Sequence, residues 1–475
     1  MKVRTYEQYS HDNPHVVNEI VESDLCVRCG ACEPACPFDI IRFNDKQYPY
    51  ITDESECRVN CVRCLKVCPG GNIDMNKLDD EMHGKRPHPK SLAGVVKGSY
   101  VSYANRPEIR GSAASGGFTT GLLAFMLERK MIDGALVLGA SAAGEEWSQK
   151  PFIARTVEEV RNSVKSKYLA VPMLRPLAEM EEIEGNYAVV ALPCYVQALR
   201  LYMKTSAKLR KRIKLIVGLY CNGVFEPQLF HDLCAARGVK PAEVKNLDFR
   251  AGKWPGLLEF ELQDGRRLPA VGQEEYKDAF NTLKLGYTPR RCDMCIDFSA
   301  EYADIAAGDP WLRGADGEYL YPHGYTAILV RTETGVNLLQ AAVDAGYISV
   351  EAVAVETWMA NFSNSVKHKR ADIPQFIEQQ RRLGKPVPEY GRVIDASLPS
   401  RSLWQLRKGW MVDLRHRYLR YKWTRRLILK VFELPPMLAY FRWNRRRKAQ
   451  SFVANHARSL DAARAVLEQE AGDVV

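Results

Sequence analysis

Cys26-Val-Arg-Cys29-Gly-Ala-Cys32-Glu-Pro-Ala-Cys36-Pro37 is a C-x2-C-x2-C-x3-C-P run. The short gaps let three thiolates converge from one tight loop on one cubane cluster, and the fourth cysteine, carried on by proline, reaches a second cluster. Cys57-Arg-Val-Asn-Cys61-Val-Arg-Cys64-Leu-Lys-Val-Cys68-Pro69 repeats the pattern with its first gap one residue wider. Crossed ligation then assigns Cys26, Cys29, Cys32 and Cys68 to one [4Fe–4S] centre, and Cys57, Cys61, Cys64 and Cys36 to the other. Structural zinc also uses C-x2-C pairs, but it needs two pairs separated by a finger-length insert. A compact run of four cysteines and a proline, met twice, fits iron–sulfur chemistry better. Residues 1–90 therefore read as an α+β domain of the two-cluster bacterial ferredoxin type.

The rest of the composition agrees with a reducing compartment. Of 13 cysteines, the remaining five are spread from position 194 to 295, an odd total with no framework of pairs. The polar N-terminus is followed by no apolar signal core, and no apolar run reaches the roughly 18 residues of a spanning helix. A cytoplasmic location is the expectation, with peripheral attachment to the inner membrane face as its variant.

Beyond residue 95 the pattern becomes α/β. Phe118, Leu122, Phe125 and Met126 recur at helical spacing, whereas Gly134–Ala140, Tyr187–Pro193 and Lys214–Tyr220 are short, apolar runs suited to buried parallel strands. A mixed or parallel sheet is expected. Cys194 and Cys221 follow two of these runs, where open α/β sheets place their ligands. With Cys292-Asp-Met-Cys295 they make a four-thiol set. On spacing alone, buried thiols at 194 and 221 with a zinc knuckle at 292–295 are equally open readings; Cys234 reads as a core thiol.

Several segments carry a family resemblance: Gly111-Ser-Ala-Ala-Ser-Gly-Gly-Phe-Thr-Thr120, Lys165-Ser-Lys-Tyr168, Leu192-Pro-Cys194, Gly218-Leu-Tyr-Cys221, Cys292-Asp-Met-Cys295-Ile-Asp297 and Ala303-Asp-Ile-Ala-Ala-Gly-Asp-Pro-Trp311. Gly324-Tyr-Thr326 and Arg331-Thr332 complete the series. In this order, residues 95–390 resemble the beta subunit of coenzyme F420-reducing hydrogenase and its wider family, which includes coenzyme F420H2-oxidising subunits and the plant hydroxymethyl-chlorophyll reductase. The resemblance implies bound FAD and a third [4Fe–4S] centre on Cys194, Cys221, Cys292 and Cys295. It also implies a redox partner: ferredoxin, coenzyme F420 or another redox subunit.

For the flavin, Ser115, Gly116 and Gly117, with Ser112 before them, open the first helix, where free N–H groups and glycine-permitted close approach suit a pyrophosphate. Lys165 and Lys167 are candidates to neutralise it, and Asp309 and Trp311 to contact flavin or substrate; Arg250 and Lys253 are weaker candidates. No G-x-G-x-x-G turn or P-loop is present, so a nucleotide site of those kinds is not expected.

Residues 400–475 form a basic, aromatic extension, read as helical. Between 401 and 450 there are 15 Lys and Arg against 2 Asp and Glu, so the net charge of +10 belongs to this segment. It holds Trp404, Trp410, Trp423 and Trp443, interleaved with Arg407, Lys408, Arg415, Arg417, Arg420, Lys422, Arg425, Arg426 and Arg445-Arg-Arg-Lys448. Attachment to an anionic membrane surface is the leading expectation and docking on a partner protein the next; no motif supports nucleic acid. The function expected is an iron–sulfur flavoprotein oxidoreductase, with a non-catalytic electron-transfer subunit of a larger complex as its rival.

Overall fold

The computed structural model describes residues 16–58, 61–71, 73–88, 91, 93–141, 145–273, 275–322, 324–392, 403–419 and 421–472, with backbone alone at 16, 363–367, 371, 403–409, 462, 466, 467 and 469–472. Trp404, Arg407 and Lys408 thus lie outside the described side chains, and Arg420 outside the described residues.

The N-terminal unit is built on its cysteine runs. Each run turns into one short helical turn, Cys32–Ala35 and Arg63–Lys66, and between them lies the hairpin β1 (Ile41–Phe43) and β2 (Pro49–Ile51). A helix over Met75–His83 closes the unit. Asp74 caps its N-terminus by accepting from Lys77 N–H, and Gly84 ends it in the left-handed region.

The larger domain is a mixed sheet of eight strands between two helical layers. Its strands are β3 (Gly98–Ala104), β4 (Gly134–Ala140), β5 (Gln149–Ala154), β6 (Tyr187–Ala191), β7 (Ile213–Leu219), β11 (Ile305–Gly308), β12 (Thr326–Val330) and β13 (Ile348–Ala352). The order is β13-β3-β12-β11-β7-β6-β4-β5. The centre, β4, β6, β7 and β11, is parallel, and antiparallel strands close both edges. Alternation sorts the side chains: Leu136, Val189, Ile216 and Ala306 enter one core, and Ala135, Val137, Ala188, Leu215, Val217 and Ile305 the other. Helix α1 (Phe118–Glu128) packs on the second face, and α2 (Pro193–Thr205) on the first.

A second, antiparallel sheet of β8 (Val244–Ala251), β9 (Leu257–Leu262) and β10 (Arg267–Pro269) packs with α3 (Gln228–Arg237) and α4 (Tyr276–Tyr287) around its own core. Cys234 is buried there, as a core thiol should be. This sheet was not anticipated from sequence: β9 alternates clearly, but β8 contains Arg250 at a buried position, which reads as surface.

The chain ends in α5 (Val355–Lys367), α6 (Leu403–Tyr418), α7 (Lys422–Phe432) and α8 (Pro435–Gly472). Part of the extension's positive charge is bound within the molecule. Arg415 and His416 meet Asp293, Arg425 and Arg426 share Asp232 of α3, and Arg445 meets Asp278 of α4. Glu433 in turn takes Arg237 and the Gly272 N–H. The acidic partners lie far away in sequence, so no local pattern reveals them.

The N-terminal unit is locked onto the α/β domain. Arg28, 2% exposed, donates to both carboxylate oxygens of Glu226 at 2.6 and 2.7 Å, and to the Tyr48 hydroxyl and the Lys46 carbonyl. Leu174 N–H donates to Cys29 O at 2.8 Å. A Cβ on Gly30, at φ +87°, would stand 2.9 Å from Pro172, so this contact requires glycine.

Candidate functional site

The parallel strands set the site. Cys194 begins α2 just after β6, Cys221 follows β7, and Asp309 follows β11, all at carboxyl ends of neighbouring strands. Cys292 sits in the short helical turn Arg290–Met294, with Cys295 just beyond it. Withdrawal from water, then the neighbouring thiols of Cys295, Cys221 and Cys292, hold the Cys194 thiol well above its ordinary range. The four expected thiols are therefore electrostatic neighbours. Free thiols so crowded resist ionisation, and a bound metal cluster is the kind of charge that would stabilise them as thiolates.

The N-terminal cysteines sort the same way. Burial and then Cys68 push Cys26 up to about 12. Cys32 is raised by burial, then by Cys29, Cys26 and Cys68, and Cys57 by burial, then by Cys61 and Cys36. Cys68 thus stands beside the first run and beside Cys64, and Cys36 stands beside Cys57 and Cys64. Cys26, Cys29, Cys32 and Cys68 line one small cavity, with Cys64 at its wall as well. Among the described residues no three His, Cys, Asp or Glu side chains converge closely enough for a single metal ion. Thiols spread around a cubane, each on its own iron, have no such need. Arg291 lies between the two groups, pulling down on Cys26 and Cys68 from one side and on Cys194 from the other.

Beyond Cys221 opens a cavity of about 700 Å³ at the same sheet edge. Val137 and Leu138 of β4, Val190 and Ala191 of β6, Leu219 of β7 and Ala307 and Gly308 of β11 form its floor. Cys221 belongs both to the four-thiol set and to the cavity wall.

The expected flavin contacts divide. Ser115 and Gly117 line the cavity at the start of α1, and Gly117 takes φ +75° as the N-cap. Gly116 is off the wall, where a Cβ would come within 2.5 Å of Ser102 O and 2.8 Å of Thr326 N; its glycine serves packing. Ser112 is also off the wall, donating its hydroxyl to Glu108 O at 2.9 Å. Lys165 and Lys167 both line the cavity. Lys165 is paired with Asp248 at 2.5 Å, and Lys167 donates to the Ser163 and Val164 carbonyls at 2.8 Å. Burial brings Lys167 down to about 8. Asp309 is engaged by the chain itself: Arg250 grips both its oxygens at 2.8 and 3.0 Å, and Trp254 Nε1–H adds a third bond. Arg250 is thus the residue that positions Asp309.

Of the aromatic and basic wall, sequence reasoning reached only Trp311. The Tyr276 and Trp311 rings stack with 9° between planes, and the Tyr168 and Tyr276 hydroxyls are 2.6 Å apart. Lys277 lies 3.9 Å from the Trp311 ring centre and donates to the Tyr319 hydroxyl at 2.8 Å. The bulk of surrounding protein, then Arg313, brings Lys277 down to about 7. Tyr168 and Trp311 fall within motifs already singled out; Tyr276 and Lys277 occupy an ordinary amphipathic helix and carry no signal.

Models of the coenzyme F420 hydrogenase/dehydrogenase beta subunit match residues 99–178 with their N-terminal part and 184–356 with their C-terminal part. A 4Fe-4S dicluster domain matches residues 25–72. The coenzyme F420-dependent sulfite reductase of Methanocaldococcus jannaschii is 27% identical over 378 residues, which cover 74% of this chain but only 52% of that protein. The coenzyme F420 hydrogenase subunit beta of Methanothermobacter thermautotrophicus is 28% identical, covering 62% of this chain and 99% of that one. The F420-dependent formate dehydrogenase 1 subunit beta of Methanococcus maripaludis is 24% identical, covering 62% and 74%.

Proposed function

Because the chain belongs to the coenzyme F420 hydrogenase/dehydrogenase beta subunit family and carries a 4Fe-4S dicluster domain before it, we propose that it is a flavin-dependent oxidoreductase acting on a reduced or oxidised deazaflavin of the F420 type. The observation that carries this reading is the shared wall. Cys221 stands at once in the four-thiol set and in the cavity, so a one-electron centre and a two-electron site would be neighbours.

Cys26, Cys29, Cys32 and Cys68 would hold one cubane, Cys36, Cys57, Cys61 and Cys64 a second, and Cys194, Cys221, Cys292 and Cys295 a third. FAD would occupy the cavity, where Ser115 and Gly117 present the α1 N-terminus to its pyrophosphate and Lys165 and Lys167 supply positive charge. Flavin exchanges two electrons or a hydride on one side and single electrons with clusters on the other. The residues' own work is to orient and to exclude water. Arg250 and Trp254 fix the Asp309 carboxylate at the β11 end, and Tyr168, Tyr276 and Trp311 offer flat surfaces against which a planar ring system can lie.

Anaerobic purification followed by iron, sulfide and flavin assays tests this. Three cubanes require about twelve irons per chain; a value near eight would remove the third, and absence of flavin would remove the mechanism. Stopped-flow reduction by coenzyme F420H2 should bleach the flavin. Bleaching by reduced ferredoxin or a partner subunit alone would favour the electron-transfer subunit instead.

The extension supports a second element of the reading, contact with an anionic membrane surface. Trp410 and Trp423 are 66% and 67% exposed, with Met411, Leu427 and Trp443 also outward. Among the described residues no helix is long and apolar enough to cross a membrane, so such contact would be interfacial.

A further inference from the structure

Helix α8 lies beyond the family match, which ends at residue 356, yet it forms part of the cavity wall. Asn444, Arg445, Lys448, Ala449 and Phe452 line the cavity, and their spacing of one, four, five and eight residues is a single helical face. Two contacts hold this face over the opening. Arg445 is ion-paired with the buried Asp278 of α4 on one side. Val453 on the other approaches Gly317 so closely that a Cβ there would meet its methyl at 2.8 Å.

The α8 face brings Lys448 to the rim already occupied by Lys277 and Arg313. Arg313 lies 3.7 Å from the Tyr319 ring centre and donates to the Gly317 carbonyl. Of the carboxylates on the cavity wall, Asp278 is committed to Arg445 and Asp309 to Arg250, which leaves Glu275 against three cations. Positive charge is thus in excess at this end of the cavity. Such like-charge crowding is unfavourable in the empty cavity and becomes favourable when an anion enters.

We propose that Lys277, Arg313 and Lys448 form an anion-recognition pole, with α8 a built-in wall that makes the cavity selective for redox partners bearing a phosphate or comparable dianionic group. The inference deepens the reading of the cavity as the two-electron site. Lys448 is a specificity residue, supplied by the extension and not by the family domain.

The test uses the full chain purified anaerobically, in wild-type form and as Lys448→Glu and Lys448→Arg. Binding of inorganic pyrophosphate, followed by calorimetry, requires no turnover. Saturable binding is expected, weakened about tenfold or more in Lys448→Glu and retained in Lys448→Arg. No saturable binding, or equal affinity in Lys448→Glu, overturns the proposal. Oxidation of reduced 5-deazaflavin mononucleotide is then compared with that of reduced 5-deazariboflavin, which lacks the phosphate. The phosphate form should have the lower KM by about tenfold, and Lys448→Glu should bring the two KM values together. Equal KM values in wild type also overturn the pole. If neither compound reacts while pyrophosphate binding still depends on Lys448, the function proposed above fails and the anion pole stands.

Discussion

At Lys277, an exposed side chain at the cavity rim, the bulk of surrounding protein, the Arg313 guanidinium and Lys448 all act against its charge, while Asp309 and Glu275 act for it, and the balance leaves it near 7. Trp311 and Tyr319 complete its surroundings. An anion at the rim favours the charged ammonium, so its pKa rises on binding. Its contribution is therefore fully present below about 7 and is lost as pH rises through the higher value of the bound state. Sulfate stays a dianion from pH 6 to 9 by its own chemistry and makes a clean probe. Its affinity should fall several-fold across that range in wild type, and should be flat in Lys277→Met. A second residue-scale prediction concerns Cys221. Replacing it by serine should lower iron from about twelve to about eight per chain while leaving the N-terminal pair intact. An unchanged iron content would show that Cys221 is not a ligand. These residues differ in legibility. Cysteine spacing carries ligand chemistry in the sequence itself, and the fold brings the two N-terminal runs together with Cys68 beside the first and Cys36 beside Cys57. Lys277 carries nothing of the kind, because its meaning depends on Trp311, Arg313 and Lys448 converging from three separate elements.

Elements were readable where their signal is local. The runs at 134–140, 187–191 and 213–219 form parallel strands because apolar, β-branched segments buried on both faces look alike in sequence and in space. The antiparallel edges β3, β12 and β13 rest on pairings across long stretches of chain that no window detects, whereas β8, β9 and β10 pair as successive hairpins whose signal the buried Arg250 obscures. Ser112 and Gly116 show the same limit. A Ser-Gly-Gly turn before a helix suits a phosphate cradle, but here Gly116 answers to the backbone of Ser102 and Thr326 instead. At this scale the junction between the N-terminal unit and the α/β domain is testable. Arg28 has 1% of its side chain exposed and Glu226 25%, so removing the carboxylate strands a nearly buried cation. Losing one partner of a fully buried pair costs about 3–5 kcal/mol, and partial access of water to Glu226 reduces this to roughly 2–3 kcal/mol. Glu226→Ala should therefore shift the urea midpoint for loss of cluster absorbance downward and expose the N-terminal unit to protease first. An unchanged midpoint would show that the remaining contacts, such as Leu174 to Cys29, suffice to hold the junction.

The molecule as a whole distributes its charge unevenly, and the fold explains where the excess goes. Arg415, Arg425, Arg426 and Arg445 close acidic sites on the α/β domain, so their charge is bound there, although Arg426 and Arg445 stay partly exposed. What faces outward is a narrower strip. Tyr440 and Trp443 are exposed on α8, with Arg447 stacked on the Trp443 ring. At about 100° per residue this face is turned about 130° from the one that carries Lys448. One helix can then wall the cavity and still present aromatic and basic groups outward, beside Trp410, Met411, Trp423 and Leu427. Basic residues near an anionic leaflet contribute on the order of 1 kcal/mol each, and exposed tryptophans seat at the headgroup level. The strip should therefore bind vesicles containing phosphatidylserine and release them at high salt, with little binding to neutral vesicles. Trp410→Ser combined with Trp423→Ser should weaken sedimentation at least tenfold while leaving pyrophosphate binding at the cavity unchanged, because neither tryptophan lines it. Equal sedimentation with neutral and anionic vesicles, or none with either, would assign the strip to a protein partner instead. The unchanged cavity would then show that the outward face and the inward face of the extension serve separate ends.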